Sequence, residues 1–399
     1  MTTVGLALFA YQLTGGPSAA AVVGNALMLR ILAFLLFSQP AGVLADRWDR
    51  RKMLVAADVI RCALLALFPF ITAIWQVYAL VFAINGVTAF FTPAYDASVP
   101  AVVARDCYVQ AVSLSRVAVD VENVAAPALA GVLVAFFGVR WVFWFDAATY
   151  LVSAALVLFA SLSARTGKVA PPFSARAFLR EVTHGTRVLL GEPSLRQALT
   201  LSFAEATAGA AAIVVTVVYV RDVLQRTNSA VAFAMACVGV GSALVALALA
   251  RVTGRYEKSV RGPAALHGLR HRWARRALLV GGLLLGLLLL PGALTPPFLA
   301  FSFLWVLNGA GQALVAIPSS TLLAEHTRDD ERGRAYAAHF ALTHFFWLLA
   351  YPAVGHAAVR WGAPATFTAA GVLCLLVTVV AGLIGGGKRE PHIHSQVPV

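Results

Sequence analysis

Residues 44–55 read LADRWDRRKMLV, and residues 269–280 read LRHRWARRALLV. At a spacing of 225, Leu44, Arg47, Trp48, Arg50, Arg51, Leu54 and Val55 meet Leu269, Arg272, Trp273, Arg275, Arg276, Leu279 and Val280, all identical. Three further clusters keep almost the same offset. Asn85-Gly86 maps onto Asn308-Gly309 and Arg105-Asp106 onto Arg328-Asp329 at 223; Pro127 maps onto Pro352 at 225 and Gly131 onto Gly355 at 224. Four clusters in one order at one spacing mark an internal repeat.

The repeat unit is apolar. Of 399 residues, 60% are hydrophobic and 12% charged, and mean hydropathy is +0.80. A soluble domain carries about 25% charged residues, so a water-soluble enzyme and a disordered chain are both excluded. A membrane-spanning helix needs roughly 20 mostly apolar residues. Eleven segments qualify, at about 20–44, 53–73, 76–98, 111–137, 141–162, 197–220, 230–250, 277–294, 297–321, 336–358 and 363–385; Val4–Thr14 is a short twelfth at the start. Barrel strands would be near ten residues with alternating polarity, so these runs are helices whose backbone groups are satisfied internally.

The net charge of +13 then needs a location. Twenty-five of the 31 Lys and Arg fall in the loops 46–52, 105–116, 163–196, 251–276 and 328–334 and in the tail at 388–389. All of these lie on one side of the membrane if the helices alternate. The other side carries Arg140, Arg221, Arg226 and Arg360, while Arg30 and Arg61 lie within helices. The positive-inside rule places the basic side and both termini in the cytoplasm of a bacterial-type plasma membrane. Cys62, Cys107, Cys237 and Cys374 form no C-x-x-C pair and read as small buried hydrophobes. No basic n-region or cleavage pattern opens the chain, so no signal peptide is expected.

The organisation is thus a six-helix bundle at 1–162, a basic linker at 163–196, a second bundle at 197–385 and a tail at 386–399. Parallel repeats of this kind are a transporter architecture. Tyr11 holds the place in the first segment that Tyr219 holds in the seventh, with far fewer residues before it. The first helix is therefore expected to lack its first two or three turns, most simply through a misplaced start codon.

The stretch GVLADRWDRRK, residues 42–52, resembles the signature loop of the major facilitator superfamily, G-x-L-A-D-R-x-G-R-K/R, at Gly42, Asp46, Arg47, Arg50 and Arg51. Asp49 stands where Gly is usual. DVIR (58–61), NGVTAFFTPA (85–94), FDAATYLVSA (145–154) and ERGRAYAAHFALTHFFWLLAYPAVG (331–355) are similar to its drug:proton-antiporter-type exporters, a group with macrolide, siderophore and nickel-resistance members. The resemblance implies an all-α fold of twelve transmembrane helices in two pseudo-symmetric bundles. It also implies a latch at Asp46, Arg47 and Arg50 that holds the outward-open state. The antiporter motif G-P-x-x-G-G survives in part as APALAG (126–131), which gives Pro127, Gly131 and their repeats Pro352 and Gly355 a structural role.

Acids inside apolar helices need a reason, since each costs roughly 2.5–3.5 kcal/mol at a helix centre. Asp58 and Arg61, three apart, form a self-neutralising pair. Asp146 lies near an interface, where a solvated or capping role suits it. Asp120 and Glu122 sit near mid-depth, two residues and about 200° apart, so an ideal helix turns at most one of them to a ligand. Glu205 is a third candidate for coupling protons to substrate. His339 and His344 join the set as residues that titrate near neutral pH. With Asp120 they are also candidate metal ligands, although five residues put them about 140° apart. His392 and His394 in the tail are weaker metal candidates. Gly239, Gly241, Gly282 and Gly286 are read as helix-packing positions.

No H-E-x-x-H, G-x-S-x-G or phosphate loop occurs, and no cofactor is implied. The expected function is proton-coupled, alternating-access export of a toxic small solute by a monomer, with no nucleic-acid partner. A divalent cation such as nickel is the favoured substrate, and an amphipathic drug of the macrolide type the alternative. A membrane sensor without transport is a remote third reading.

Overall fold

The computed structural model describes residues 1–102, 108–160, 175–259, 263–327 and 329–385. Within them the chain is helical: α1 (Thr2–Thr14), α2 (Ser18–Arg47), α3 (Arg50–Ala66), α4 (Ile74–Val102), α5 (Tyr108–Phe137) and α6 (Val139–Phe159) come first. After α7 (Ala175–Gly191) follow α8 (Pro193–Val214), α9 (Asn228–Ser259), α10 (Pro263–Leu289), α11 (Phe298–His326), α12 (Asp329–Trp361) and α13 (Ala363–Gly385). Ten stretches among the described residues are long and apolar enough to cross a membrane. Their outward faces carry Phe159, Leu299, Phe303 and Leu383 in the open, as a lipid-solvated surface requires. Exposed Phe70, Trp75, Phe137, Trp141 and Trp144 gather where α3 leads to α4 and α5 to α6, an aromatic girdle at the end away from the basic loops.

Two departures from the expected segments share one cause. The apolar run of the second segment ends at Leu44, yet α2 continues through Arg47, and Trp48 N–H closes it on the Leu44 carbonyl at 2.9 Å. Asp49 then caps α3 by accepting the Lys52 N–H at 3.2 Å. The expected loop 46–52 is therefore a two-residue turn between helices. Likewise α9 and α10 extend through most of the expected loop 251–276, and Pro263 starts α10 where a missing N–H costs nothing. Apolar patterning marks the membrane, whereas helix ends are set by caps and backbone bonds beyond it.

The basic linker also holds structure that composition does not display. Residues 175–191 form α7, whose Gly185 lies against the Arg334 carbonyl and the Ala338 side chain of α12. His184 Nε2 stands 3.4 Å from a Glu331 carboxylate oxygen.

In the N-terminal half α1 packs on α2 and α6, α2 on α4, and α3 on α4 and α6. In the C-terminal half α8 packs on α11, α12 and α13, α10 on α11 and α13, and α9 on α11. The halves meet along two seams, α2 with α12 and α5 with α9. The second repeat of the opening sequence closes the basic end of its bundle. Arg275 donates from Nε to Gln197 of α8 at 2.9 Å and from Nη2 to the Gly385 carbonyl ending α13. Arg275→Ala should lower stability by about 1 kcal/mol, a fall of roughly 2–4 °C in Tm for a unit of this size. Thermal unfolding of the purified protein reads it.

Candidate functional site

The seams close at one end. On α2, Gly24 lies so near α12 that a Cβ there would run into the Tyr351 carbonyl. A Cβ on Gly355 of α12 would lie 2.6 Å from the Ala20 carbonyl of α2. At the second seam a Cβ on Gly131 would stand 3.1 Å from Ala232 Cβ of α9. These glycines sit at the ends of their helices away from the basic loops. The Tyr11 hydroxyl donates to the Asp222 carboxylate at that same end, with the Arg221 guanidinium 5.4 Å above the Tyr11 ring. Asp222 lies in a π-helical turn, Tyr219–Val223, that follows α8, and π-bulges re-aim side chains in this way. This clasp joins the halves directly. Tyr11→Phe should remove one cross-bundle hydrogen bond, about 0.5–1.5 kcal/mol, and raise cysteine labelling at the neighbouring exposed Ser18 by a few-fold.

Burial falls away along the α2–α12 seam. Ala19, Val23, Ala26 and Leu27 are completely or almost completely buried; Arg30, next on the same stripe, is exposed, and Phe34 and Phe37 are half-buried. On α12, Val354 and Tyr351 are buried, whereas Phe340 and Tyr336 are exposed. A cleft between the halves thus widens toward the basic end. Its α12 wall is the stripe Tyr351, Trp347, His344 and Phe340, spaced 4, 3 and 4. Phe340 stacks on His344 at 3.8 Å between centroids and meets Phe34 at 6.3 Å. Trp347 lies 5.1 Å from Tyr351 and abuts Gly209 of α8.

The candidate residues separate from one another. Asp58 and Arg61 form an ion pair buried in the N-terminal bundle, and the guanidinium stands 4.1 Å from the Phe91 ring and 4.5 Å from the Tyr150 ring. The guanidinium thus has a carboxylate and two rings as partners, although Asp58 Oδ2 and Arg61 Nε are buried without a hydrogen bond. Glu122 is exposed on α5, about 180° round the helix from the seam residue Gly131, and within electrostatic reach of Tyr150 on α6. Glu205 lies on the α8 face that carries Gly209, against Trp347, and Leu201, against Gly282 of α10. Glu205 is half-buried there and has no hydrogen-bond or ion-pair partner among the described residues. Asp146 accepts a hydrogen bond from Thr2 at the start of α1.

His344 borders the cleft and donates its Nδ1 proton to the Phe340 carbonyl at 2.9 Å. His339 is turned away from it, with Nε2 buried and without a partner. No group of three His, Cys, Asp or Glu that could hold a metal ion occurs among the described residues. The expected ligand set of His339, His344 and Asp120 therefore gains no support, because His339 and His344 leave α12 in different directions. The side chains of Gly42, Asp46, Arg47 and Asp120, and all of 386–399 with His392 and His394, lie outside the described residues. Arg50 and Arg51 open α3. Pro127 and Pro352 each precede a seam glycine within one turn.

The sequence reading passed over Arg30, counting it only as a charge within a helix. Its signal was a lone arginine in the apolar run 20–44.

Comparison with known proteins agrees with this architecture. The family model for the Major Facilitator Superfamily matches residues 1–269 and 268–397. The chain is 25% identical over 386 residues to the MFS-type transporter YfiS of Bacillus subtilis (strain 168), covering 95% of this chain and 87% of that one. It is 27% identical over 187 residues to macrolide efflux protein A of Streptococcus pyogenes, covering 45% of each. To the enterobactin exporter EntS of Shigella flexneri it is 29% identical over 220 residues, covering 52% of this chain and 48% of that one. It thus spans about half the length of the two named exporters. A POT family transporter in complex with 5-aminolevulinic acid superposes with TM-score 0.72 at 11% identity, covering 96% and 93%. A bacterial homologue of the human lysosomal transporter Spinster, in an inward-facing and occupied conformation, gives 0.70 at 12% identity with the same coverage.

Proposed function

The chain belongs to the Major Facilitator Superfamily, a multi-pass membrane transporter of small molecules and not an enzyme, and from that premise we propose that it exports an amphipathic organic solute in exchange for protons. The cleft carries this reading: it is shut by glycine contacts at one end, widens toward the basic end, and is lined by Phe34, Phe340, Trp347 and Tyr351. Aromatic walls with few polar groups suit an organic ligand. The macrolide and enterobactin exporters among the relatives support the same class. The basic end is the cytoplasmic one, by its excess of Lys and Arg, so solute enters from the cytoplasm in the state described above. Rocking of the two bundles about their seams then closes the basic end and opens the other. Gly42, Asp46, Arg47, Arg50 and Arg51 serve as the latch at the basic end, and the Tyr11–Asp222 clasp shuts the opposite end. Proton binding falls to an acid within the helices, with Glu205 first and Asp120 and Glu122 after it.

Reconstitution tests this reading. Proteoliposomes with an imposed pH gradient should move ethidium, a macrolide or an aromatic anion at a rate that collapses when the gradient is removed. Movement of nickel with no organic probe would show the wrong substrate class. Absence of flux for every probe would end the export reading.

A further inference from the structure

Arg30 is a charged side chain within a membrane-spanning helix. It lies twelve residues into α2, about 18 Å along the helix, near mid-membrane. Among the described residues it has no hydrogen-bond or ion-pair partner. Intramembrane charges of this kind are rare and face cavities or partners.

The direction of Arg30 follows from its stripe. Ala19, Val23, Ala26 and Leu27 precede it by 11, 7, 4 and 3 residues, so they share its side of α2, and all are buried; Phe34, four residues after it on the same side, meets Phe340 of α12. Leu32 and Leu36 lie about 200° and 240° away on the far side, and Leu36 is exposed. Arg30 therefore points into the cleft and not to lipid.

Its facing residues are fixed by the seam. The antiparallel helices bring Ala20 to Gly355, Gly24 to Tyr351 and Phe34 to Phe340 in step, which sets Arg30 opposite His344. His344 and Tyr351 are both within electrostatic reach of Arg30. Because His344 gives its Nδ1 proton to the Phe340 carbonyl, its Nε2 donates to an oxyanion when the ring carries a second proton. Among the described residues no acid pairs with Arg30. Asp58 is held by Arg61, Asp146 by Thr2 and Asp222 by Tyr11, Glu122 lies off the seam, and Glu205 shares the α8 face of Leu201 and Gly209.

We propose that Arg30, with His344 and Tyr351, forms an anion-recognising subsite in the cleft, so that the exported solute is an organic anion: a carboxylate, phenolate or sulfonate on an apolar or aromatic body. A guanidinium binds a planar oxyanion with paired hydrogen bonds, while the rings of Phe34, Phe340 and Trp347 receive the body. The inference rests on the export reading and narrows its substrate. An unpaired guanidinium at this place repels metal cations and cationic drugs.

The test is equilibrium binding to the full chain in nanodiscs, followed by fluorescence polarisation, with carboxyfluorescein as the anion and ethidium as the cation. Arg30→Gln should weaken carboxyfluorescein on the order of tenfold or more, Arg30→Lys should restore much of it, and ethidium should not lose affinity. Should Arg30→Gln not fold, His344→Gln carries the test, with a smaller loss for the anion alone. Unchanged carboxyfluorescein affinity in the folded variants overturns the subsite and leaves the export reading in place. Absence of flux for every organic probe in the proteoliposome assay overturns that reading, and the subsite with it.

Discussion

Leucine at position 24 should leave the protein in the membrane but nearly without export. Gly24 is where α2 crosses the backbone of α12, and a Cβ there would occupy the space of the Tyr351 carbonyl. Backbone cannot step aside as a side chain does, so the two helices must separate at the end opposite the basic loops. Overpacking of this kind costs about 1–3 kcal/mol. The cost falls only on the state in which that end is shut, because the bundles part there in the alternate state. A differential of this size moves a two-state equilibrium by roughly 5- to 150-fold. Gly24→Leu should therefore favour opening at the opposite end and slow the return that loads solute. Gly355→Leu, which meets the Ala20 carbonyl, should behave in the same way. Each bundle keeps its own packing, so melting temperature should change little while flux in proteoliposomes falls. Unimpaired flux in either variant would mean that the seams do not work as a gate.

Glu205→Gln should separate transport from its driving force. Glu205 shares its α8 face with Leu201 and Gly209 and has no partner among the described residues, and an ionised acid there is costly. Proton binding removes that cost, so the occupancy of one proton is tied to how the C-terminal bundle packs. A gradient of one pH unit carries about 1.36 kcal/mol per proton, a factor of about ten in accumulation for one-to-one exchange. Glutamine holds the shape of the protonated acid but releases no proton. Accumulation against a concentration gradient should therefore vanish, while downhill exchange of labelled solute continues. If Glu205→Gln vesicles still concentrate solute under a pH gradient, coupling resides elsewhere, and Asp120→Asn together with Glu122→Gln becomes the next variant to measure.

The all-helical membrane fold was legible because membrane helices announce themselves by length. Helix ends were less so. Leu44 ends the apolar run, but α2 goes on to Arg47, and only the backbone bond to Trp48 and the Asp49 cap show where it stops. Helix α7 escaped because its apolar residues lie on one face and are diluted by arginines. Among site residues, the divergence of His339 and His344 round α12 and the pairing of Asp58 with Arg61 followed from helix geometry. The place of Glu205 on the α8 face of Leu201 and Gly209 did not, because which side of α8 meets α12 is a property of the packed bundle. Arg30 was visible as an isolated charge, but its value depends on the seam register that sets it opposite His344. Gly24 and the Tyr11–Asp222 contact carry no local signature at all, since each is defined by a partner more than 200 residues away.

The central claim is that two bundles rock about the α2–α12 and α5–α9 seams, so that one end opens as the other shuts. The most direct measurement places spin-label pairs on a background lacking the four native cysteines. One pair, Ser18→Cys with Gln225→Cys, flanks the Tyr11–Asp222 clasp; the other, Trp48→Cys with Arg272→Cys, spans the basic end. All four positions are exposed. Pulsed electron resonance as pH and solute are varied should show the first distance lengthening as the second shortens. Distances that change together, or a first pair that never moves while flux proceeds, would contradict it.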